Sequence, residues 1–248
     1  MVAWRFSGAV AVLFFITTLG HAQPYTLAET SKAGDCFRYQ LNLKLTGQLK
    51  VVKEGKTVPL TLKADAAHVF PERVMVVSEA GFPEKVARVY ETAKAVIGVD
   101  NGKTERTLRP GRSLVVAQRH KDQPLVYCPA GAFYRPELEL VSEHFDTLCL
   151  TGVLPTKPVK VGDSWKLPNP VAQALCNFEG MTENKLTGKL EKVVGDVATF
   201  SVTGAAAGVE AGAMVKLKIS ATGTVALKAR RLLSLEWKQN DDRDRRTV

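Results

Sequence analysis

The sequence lacks the short motifs that mark the common enzyme classes. It contains no Gly-x-Ser-x-Gly, no His-Glu-x-x-His and no Gly-x-x-x-x-Gly-Lys segment, which are typical of α/β-hydrolases, zinc proteases and P-loop proteins. Histidine is scarce, with four in 248 residues, and each stands alone in the sequence. A hydrolase would need a site that no motif reveals, so the sequence favours a non-enzymatic function.

Cysteine is also scarce, and its spacing argues against zinc and redox sites. No Cys-x-x-Cys pair occurs, although such pairs are typical of zinc ribbons and thioredoxin-type centres. Cys36, Cys128, Cys149 and Cys176 form an even set, for which three disulfide pairings exist. Disulfides are one interpretation of this set. For Cys176, which ends the apolar run 171–176, a buried free thiol is equally consistent.

No apolar run has the length of a transmembrane helix, and the short one at the N-terminus is typical of a secretory signal. Arg5 precedes the apolar run 9–16, and the segment 20–22, Gly-His-Ala, is a small-x-small cleavage site. The run is too short to span a bilayer comfortably, and Gln23 is not the cysteine that a lipid anchor needs. We therefore expect an exported protein, periplasmic or extracellular, without a transmembrane anchor in the mature chain.

Acidic residues are the minority charge. Lys and Arg number 34 against 25 Asp and Glu, a formal charge of +9, and loss of the one arginine in 1–22 leaves +8. Because the basic residues are dispersed and the protein is expected to be exported, nucleic acid is not an expected partner. Such a surface favours solubility and allows weak attraction to anionic lipid or polymer.

Most of the mature chain alternates between apolar and polar residues, which predicts a mainly β fold. We expect antiparallel curved sheets or a half-barrel, in two β-meander halves joined by a helix-containing linker. The predicted divisions are a signal peptide at 1–22, an N-terminal β-rich half at 23–133, a helix and Pro-rich joint at 134–168, a C-terminal meander at 169–240, and a charged tail or truncation point at 241–248.

The N-terminal half begins with the longest alternating segment. Residues 36–51 put Phe37, Tyr39 and a series of leucines on one face, which predicts a long strand with one wet face. Further strands are predicted at 58–64, 73–77, 104–108, 113–119 and 125–128. Residues 84–97 fit either a helix or a strand. The strand is favoured at least for 94–99, because an Asp-Asn-Gly-Lys turn follows directly.

The joint carries the best helix signal of the mature chain. Pro136 suits a first helical position, and carboxylates follow it in the first turn. The predicted helix, 136–147, places Leu138, Val141, Phe145 and Leu148, together with Leu140 and His144, on one apolar stripe. A Pro-rich segment and a Val-Gly-Asp-Ser-Trp turn at 161–165 come next.

The C-terminal half is predicted to hold a short helix at 171–176 and four strands. The strands are expected at 184–194, 197–204, 215–222 and 233–238, with a small-residue loop at 205–212. In the last strand, Leu233, Leu235 and Trp237 are predicted to face inward by strict alternation, with Glu236 facing water.

The chemically suggestive residues do not form a site on sequence grounds. His144 and Asp146 are two apart, whereas a helical metal pair needs three or four, and Cys149 lies beyond the expected helix end. Asp163 and Ser164 are typical of a turn that bonds its own backbone. No catalytic, cofactor-binding or metal-binding residue is therefore assigned, and no cofactor is expected.

The signal segment, the sequence Pro-Glu-Leu-Glu-Leu-Val-Ser-Glu-His-Phe-Asp at 136–146, the turn at 161–165 and Leu-Glu-Trp-Lys-Gln at 235–239 resemble a group of uncharacterised exported bacterial proteins. The long alternating strands with covering helices resemble, more distantly and in architecture alone, the half-barrel lipoprotein carriers (LolA-like proteins). The first resemblance implies no activity. The second implies a concave apolar face.

These observations lead to three functional hypotheses. The first is a non-enzymatic structural, interaction or binding module of the cell envelope, whose partner is unknown and would be an envelope protein or a hydrophobic ligand. The second is a carrier of a lipid or other hydrophobic ligand on a half-barrel face. The third is a hydrolase with an unrecognised site.

The signal peptide gives a direct prediction. We expect cleavage between Ala22 and Gln23 when the full chain is expressed in a host with a general secretory pathway. The intact mass of the exported protein should correspond to a chain that starts at Gln23. Exported protein that retains residues 1–22 would contradict this assignment.

Overall fold

Two antiparallel sheets contain most of the chain. In this computed structural model, the described residues are 23–120, 123–142, 147–210 and 212–243. Within these ranges the predicted mainly β, antiparallel class is confirmed, since one sheet curls into a half-barrel and a short helix lies between the β-rich halves. The alternation of apolar and polar residues accounts for this class, because each sheet has one face to bury.

The N-terminal sheet is built around one long strand, β2. Its seven strands are β1 Cys36–Lys53, β2 Lys56–Val77, β3 Pro83–Val89, β4 Thr92–Val99, β5 Gly102–Thr107, β6 Leu114–His120 and β7 Gln123–Tyr127. On one side β2 pairs with β1 along the whole of β1; on the other it pairs first with β4 and then with β3. The strand order then continues from β4 to β5 and from β3 through β6 to β7.

The continuity of β2 corrects the prediction of two separate strands at 58–64 and 73–77. Pro71 lies between Val69, the last residue paired with β4, and Glu72, the first paired with β3. A proline in a central strand is normally excluded because it has no N–H to donate. Here β2 changes its partner at the proline, so no ladder on that side is interrupted.

Residues 84–97 form β3 and β4 rather than a helix. The strand favoured for 94–99 is confirmed, and the hairpin turn after it leads into β5 as predicted. Asp100 adopts a φ of +49°, which Asp tolerates better than most residues. Its Oδ1 accepts a hydrogen bond from the Thr61 N–H at 2.7 Å, which ties the turn to β2.

The C-terminal sheet is a four-strand meander with two short additional strands. Its six strands are β8 Ser164–Lys166, β9 Gly180–Asn184, β10 Thr187–Val194, β11 Val197–Glu210, β12 Ala213–Ala226 and β13 Arg231–Arg243. The order is β13-β12-β11-β10-β8, and β9 pairs with the end of β11. Apolar side chains from β10, β11 and β12 fill its core, among them Leu190, Phe200, Val202, Leu217 and Ile219.

The small-residue segment 205–212, predicted as a loop, is largely strand. β11 runs through residues 205–210 and pairs there with both β9 and β12. The small side chains are what allow this. A Cβ on Gly208 would lie 2.6 Å from the Gly180 carbonyl oxygen and 2.6 Å from the Phe178 ring.

The joint is helical, as predicted, but divided. Helix α1 is Arg135–Ser142, a 3-10 helix follows at Thr147–Val153, and helix α2 is Asn169–Leu175. The predicted helix at 136–147 therefore agrees with α1, and residues 143–146 lie outside the described part. Leu148, from the predicted stripe, is buried in the 3-10 helix. Helix α2 agrees with the short helix predicted at 171–176.

Helix α1 buries part of the predicted stripe. Leu140 and Val141 are buried as predicted, whereas Leu138 is 41% exposed and Glu137 is buried in its place. The cause is an ion pair, because Arg109 Nε and Nη2 each lie 2.7 Å from a Glu137 carboxylate oxygen. A buried carboxylate is tolerated when it is paired in this way, so the helix turns the 137–140–141 side toward the sheet.

The segment that precedes β1 packs into the C-terminal half of the molecule. Tyr25 forms a β-bridge with Val159, with N···O distances of 2.7 and 2.9 Å. Leu27 is fully buried in the core of the C-terminal sheet. The N-terminal segment therefore contributes to the core of the C-terminal sheet.

Arg231, at the start of β13, also links the segment that precedes β1 to the C-terminal sheet. Its Nη1 lies 2.9 Å from Glu29 Oε1, and its Nη2 lies 2.9 Å from Asp35 Oδ2. Its guanidinium also lies 4.3 Å from the centre of the Phe37 ring in β1, a cation–π contact. The Arg231 side chain thus joins the segment that leads into β1 to the C-terminal sheet.

The closing strand differs from strict alternation at one point. A register shift between Thr224 and Val225 of β12 places Leu232 against Val225 and leaves Leu233 58% exposed. Leu235 and Trp237 pack against the core as predicted, because the alternation resumes after this bulge. β13 continues to Arg243, three residues into the predicted tail at 241–248.

The closing strand yields a stability prediction. Trp237→Ala should lower the free energy of unfolding by about 2 kcal/mol or more, because the partly buried indole leaves a cavity beside the core. Glu236→Ala should cost less than about 0.5 kcal/mol, because Glu236 is exposed. Urea unfolding followed by far-UV circular dichroism measures both variants. Equal effects would show that β13 is not integral to the sheet.

Candidate functional site

The β1–β2 pairing creates a long apolar face on the N-terminal sheet. Residues directly opposite in an antiparallel pair lie on the same face, and the register aligns apolar residues with apolar residues. The cross-strand pairs on this face are Leu43↔Ala66, Leu45↔Ala64, Leu49↔Leu60 and Val51↔Val58, and β4 adds Ile97 opposite Ala64 and Val99 opposite Leu62. We call this set of residues the open face.

The open face is buried at one end and exposed at the other. At its root, on the same side of the sheet, His68 and Phe70 are almost completely buried. Farther along β1, Leu45 is 50% exposed and Leu49 is 41% exposed. The apolar pattern is the same along the whole strand, so the difference lies in what covers it.

Helix α1 covers the root and is fixed there by ion pairs. Glu139 binds Arg106 of β5, and Glu137 binds Arg109 just after β5. The Arg109 hydrogen bonds, together with the Tyr134 N–H, lower the pKa of Glu137 to about 2. Because the carboxylates of α1 are held by cations on and beside β5, the helix lies across one end of the face.

A small cavity lies between α1, the 3-10 helix and the root of the open face. Its volume is about 30 Å³, room for about two water molecules. Its lining combines polar and apolar side chains, including His68, Arg88, Tyr90, Phe70 and Leu41. His68 and Tyr90 meet edge to face with ring centroids 5.9 Å apart.

A buried ion pair stands beside this cavity. Glu72 and Arg88 are directly opposite each other on β2 and β3, and Arg88 Nε donates to Glu72 Oε2 at 2.8 Å. Arg88 Nη2 donates to Thr147 Oγ1 at 2.6 Å, and Thr147 Oγ1 in turn lies 3.2 Å from the same carboxylate. The three side chains join β2, β3 and the 3-10 helix.

The surroundings of this ion pair also affect two tyrosines. Burial raises the pKa of both Tyr39 and Tyr90 above the usual value for a phenol. Both phenols therefore stay neutral across the physiological range. The Glu72 carboxylate is already engaged by Arg88 and Thr147, so the arrangement is suited to holding elements together rather than to moving protons.

The structure does not join the suggestive residues of the joint into a site. His144 and Asp146 lie outside the described residues. Cys149 is buried in the 3-10 helix, and Arg119 Nη2 lies 2.7 Å from its sulfur. Asp163 accepts a hydrogen bond from the Lys160 N–H at 2.8 Å, a local contact between side chain and backbone within the turn.

The cysteines form no disulfide in the structure. All four are free thiols, with Cys36 exposed and the other three buried. Burial raises the pKa of the Cys176 thiol to about 12, which keeps it protonated and unreactive. The buried-thiol interpretation of Cys176 therefore agrees with its surroundings.

Two further classes of feature do not occur in the described part of the chain. There, no group of three or more His, Cys, Asp or Glu side chains is placed to hold a metal ion. In the same residues, no helix is both long enough and apolar enough to cross a bilayer.

The sequence contains a signal for the buried ion pair that the alternation of apolar and polar residues alone does not reveal. Phe70, Glu72 and Val74 share one face of β2, and Phe70 and Val74 are buried there. A carboxylate between two inward-facing apolar residues indicates a buried cationic partner. The partner is Arg88, in the strand 83–89. The sequence did not identify this strand, because residues 84–97 fit a helix as well as a strand.

Comparison of the chain with protein-family models, with curated proteins and with solved structures gave no match. No family is therefore assigned to the chain. Its function has to be inferred from its own residues and their arrangement.

The buried ion pair gives a prediction with an internal control. Glu72→Ala should lower the free energy of unfolding by about 3 to 5 kcal/mol, because it leaves the Arg88 guanidinium buried without its carboxylate. Glu91→Ala removes the exposed pair between Arg38 and Glu91 and should cost far less, because solvent screens an exposed pair. Urea unfolding of both variants makes the comparison. Similar losses would show that the Glu72 pair is not buried in solution.

Proposed function

We propose that the protein is an exported, non-enzymatic binding module of the cell envelope, and that its binding surface is the open face. The observation that carries this proposal is the exposure of Leu45 and Leu49, at 50% and 41%, within a continuous apolar surface. Contiguous exposed apolar surface of this kind is rare on soluble proteins unless it meets a partner.

The shape of the open face favours an extended hydrophobic ligand. The apolar residues of the open face, exposed or half-buried, follow two adjacent strands in line, from Leu43 to Val51 on β1 and from Val58 to Ala66 on β2. A linear apolar chain, such as the acyl chain of a lipid, matches this track. Carriage of such a ligand is therefore the specific form of binding that we propose.

The cavity at the root supports binding over catalysis. At about 30 Å³ it is too small for a substrate beyond water-sized groups. Its charged lining residue, Arg88, already binds Glu72 and Thr147. A hydrolase would need a nucleophile that lies next to a base and is open to a substrate. Arg88, Glu72 and Thr147 instead hold β2, β3 and the 3-10 helix together.

The proposal is tested with a fluorescent fatty-acid probe and two matched double variants. Leu45→Ser with Leu49→Ser removes two exposed leucines from the open face, and should weaken probe binding about tenfold or more because apolar contact area is lost. Val194→Ser with Leu233→Ser removes two residues that are 68% and 58% exposed on the C-terminal sheet. This control should bind like the unchanged protein.

Native mass spectrometry of the mature protein separates the two forms of the proposal. Co-purifying lipid would support carriage, whereas its absence with retained probe binding would support a docking module for a hydrophobic segment of another protein. Equal probe affinity in both double variants would contradict the assignment of the open face.

A further inference from the structure

The far end of the β1–β2 hairpin projects beyond the rest of its sheet. The pairing of β2 with β4 begins at Leu62, so between the turn and Leu62 β1 and β2 pair only with each other within the described chain. Glu54 and Gly55 form the turn with φ values of +50° and +76°, as in the type I′ turns that close two-residue hairpins. We call residues 49–60 the projecting ribbon.

The projecting ribbon has one apolar face, continuous with the open face. Leu49 opposes Leu60, and Val51 opposes Val58, on that side. A two-stranded ribbon in water has little to stabilise it, and here Leu49 is 41% exposed while Val51, Val58 and Leu60 are half-buried. The ribbon therefore presents apolar side chains where a partner can reach them.

The same ribbon and its base carry a concentrated positive charge. The lysines are Lys44, Lys50, Lys53, Lys56 and Lys63, all exposed, against the carboxylates of Glu54 and Asp65. Five lysines less two carboxylates leave a formal charge of +3 on residues 44–65. None of these lysines forms an ion pair with another described residue.

At the turn itself, two of these lysines are placed side by side. Lys53 and Lys56 are directly opposite each other in the register. Like charges directly opposite each other destabilise a hairpin. An anionic partner at this end would relieve the repulsion, and it would do so beside an apolar face.

We propose that the projecting ribbon docks on the surface of an anionic lipid bilayer. The lysines contact lipid phosphates, and the apolar side chains enter the boundary between headgroups and acyl chains. The inference rests on the proposed function, because the open face then leads from the bilayer toward α1 as a continuous track for an acyl chain.

Charge decides between this partner and a second copy of the chain. Lys53 and Lys56 lie on the same side as Leu49 and Val51, so two ribbons packed apolar face to apolar face, turn against turn, would bring these lysines together, which is unfavourable. A bilayer offers negative charge and an apolar layer a few ångströms apart, and so matches both features of the ribbon.

The experiment measures co-sedimentation of the mature protein with vesicles of phosphatidylglycerol and phosphatidylcholine, or of phosphatidylcholine alone. Partitioning should be at least about tenfold stronger on the anionic vesicles and should fall as salt screens the charges. Lys53→Gln with Lys56→Gln should lower it about tenfold. The control, Lys216→Gln with Lys218→Gln on β12, should stay within about twofold.

A third variant tests the apolar contribution. Leu49→Ser should lower partitioning on anionic vesicles, whereas the exposed Leu233→Ser should not. Equal partitioning on the two kinds of vesicle, equal loss in the two lysine variants, or a dimer in solution that Leu49→Ser dissociates without any vesicle binding would each overturn the inference.

The fatty-acid probe distinguishes failure of this inference from failure of the proposed function. Probe binding without vesicle binding overturns docking and leaves the open face as the binding surface. Lys53→Gln with Lys56→Gln should bind the monomeric probe like the unchanged protein, because these lysines lie at the turn. Loss of both probe and vesicle binding from the unchanged protein overturns both.

Discussion

The register between β1 and β2 is the constraint on which the rest of the structure depends. It runs without interruption from Cys36 opposite Arg73 to Lys53 opposite Lys56. Because side chains alternate between faces, a slip of one residue would send every leucine of β1 to the opposite face. The register alone thus decides that the sheet has one long apolar face and one lysine-bearing face.

The buried end of this face supplies interactions that hold β2 in register with β3. Glu72 and Arg88 pair across β2 and β3, and Thr147 joins them from the 3-10 helix. Any other register between β2 and β3 would bury these charges apart from each other, at a cost of several kcal/mol. The polar side chains at the root therefore specify how the strands pair there. The apolar outer part of the face is not needed for this.

Alternation in the sequence was enough to predict the class of the fold, since it shows which residues share a face. It could not show where a strand changes partners, as β2 does at Pro71. Nor could it show that 205–210 is strand, because the small side chains there are explained only by the approach of Phe178. The burial of Glu137 in place of Leu138 depends on Arg109, which lies 28 residues away. The apolar residues of the open face were readable from sequence, whereas their exposure depends on the placement of α1.

The exposure of the open face follows from the lengths of the two elements. β1 has 18 residues and so extends about 60 Å. α1 has eight residues, about 12 Å at 1.5 Å per residue, and its ion pairs with Arg106 and Arg109 fix it at the root. A cover of this length cannot reach Leu45 and Leu49 while it stays paired. The apolar pattern nevertheless continues to Val51 and Val58, well past the reach of the helix. The chain thus carries more apolar strand than its own described elements bury, and an apolar molecule bound along the face would bury the remainder.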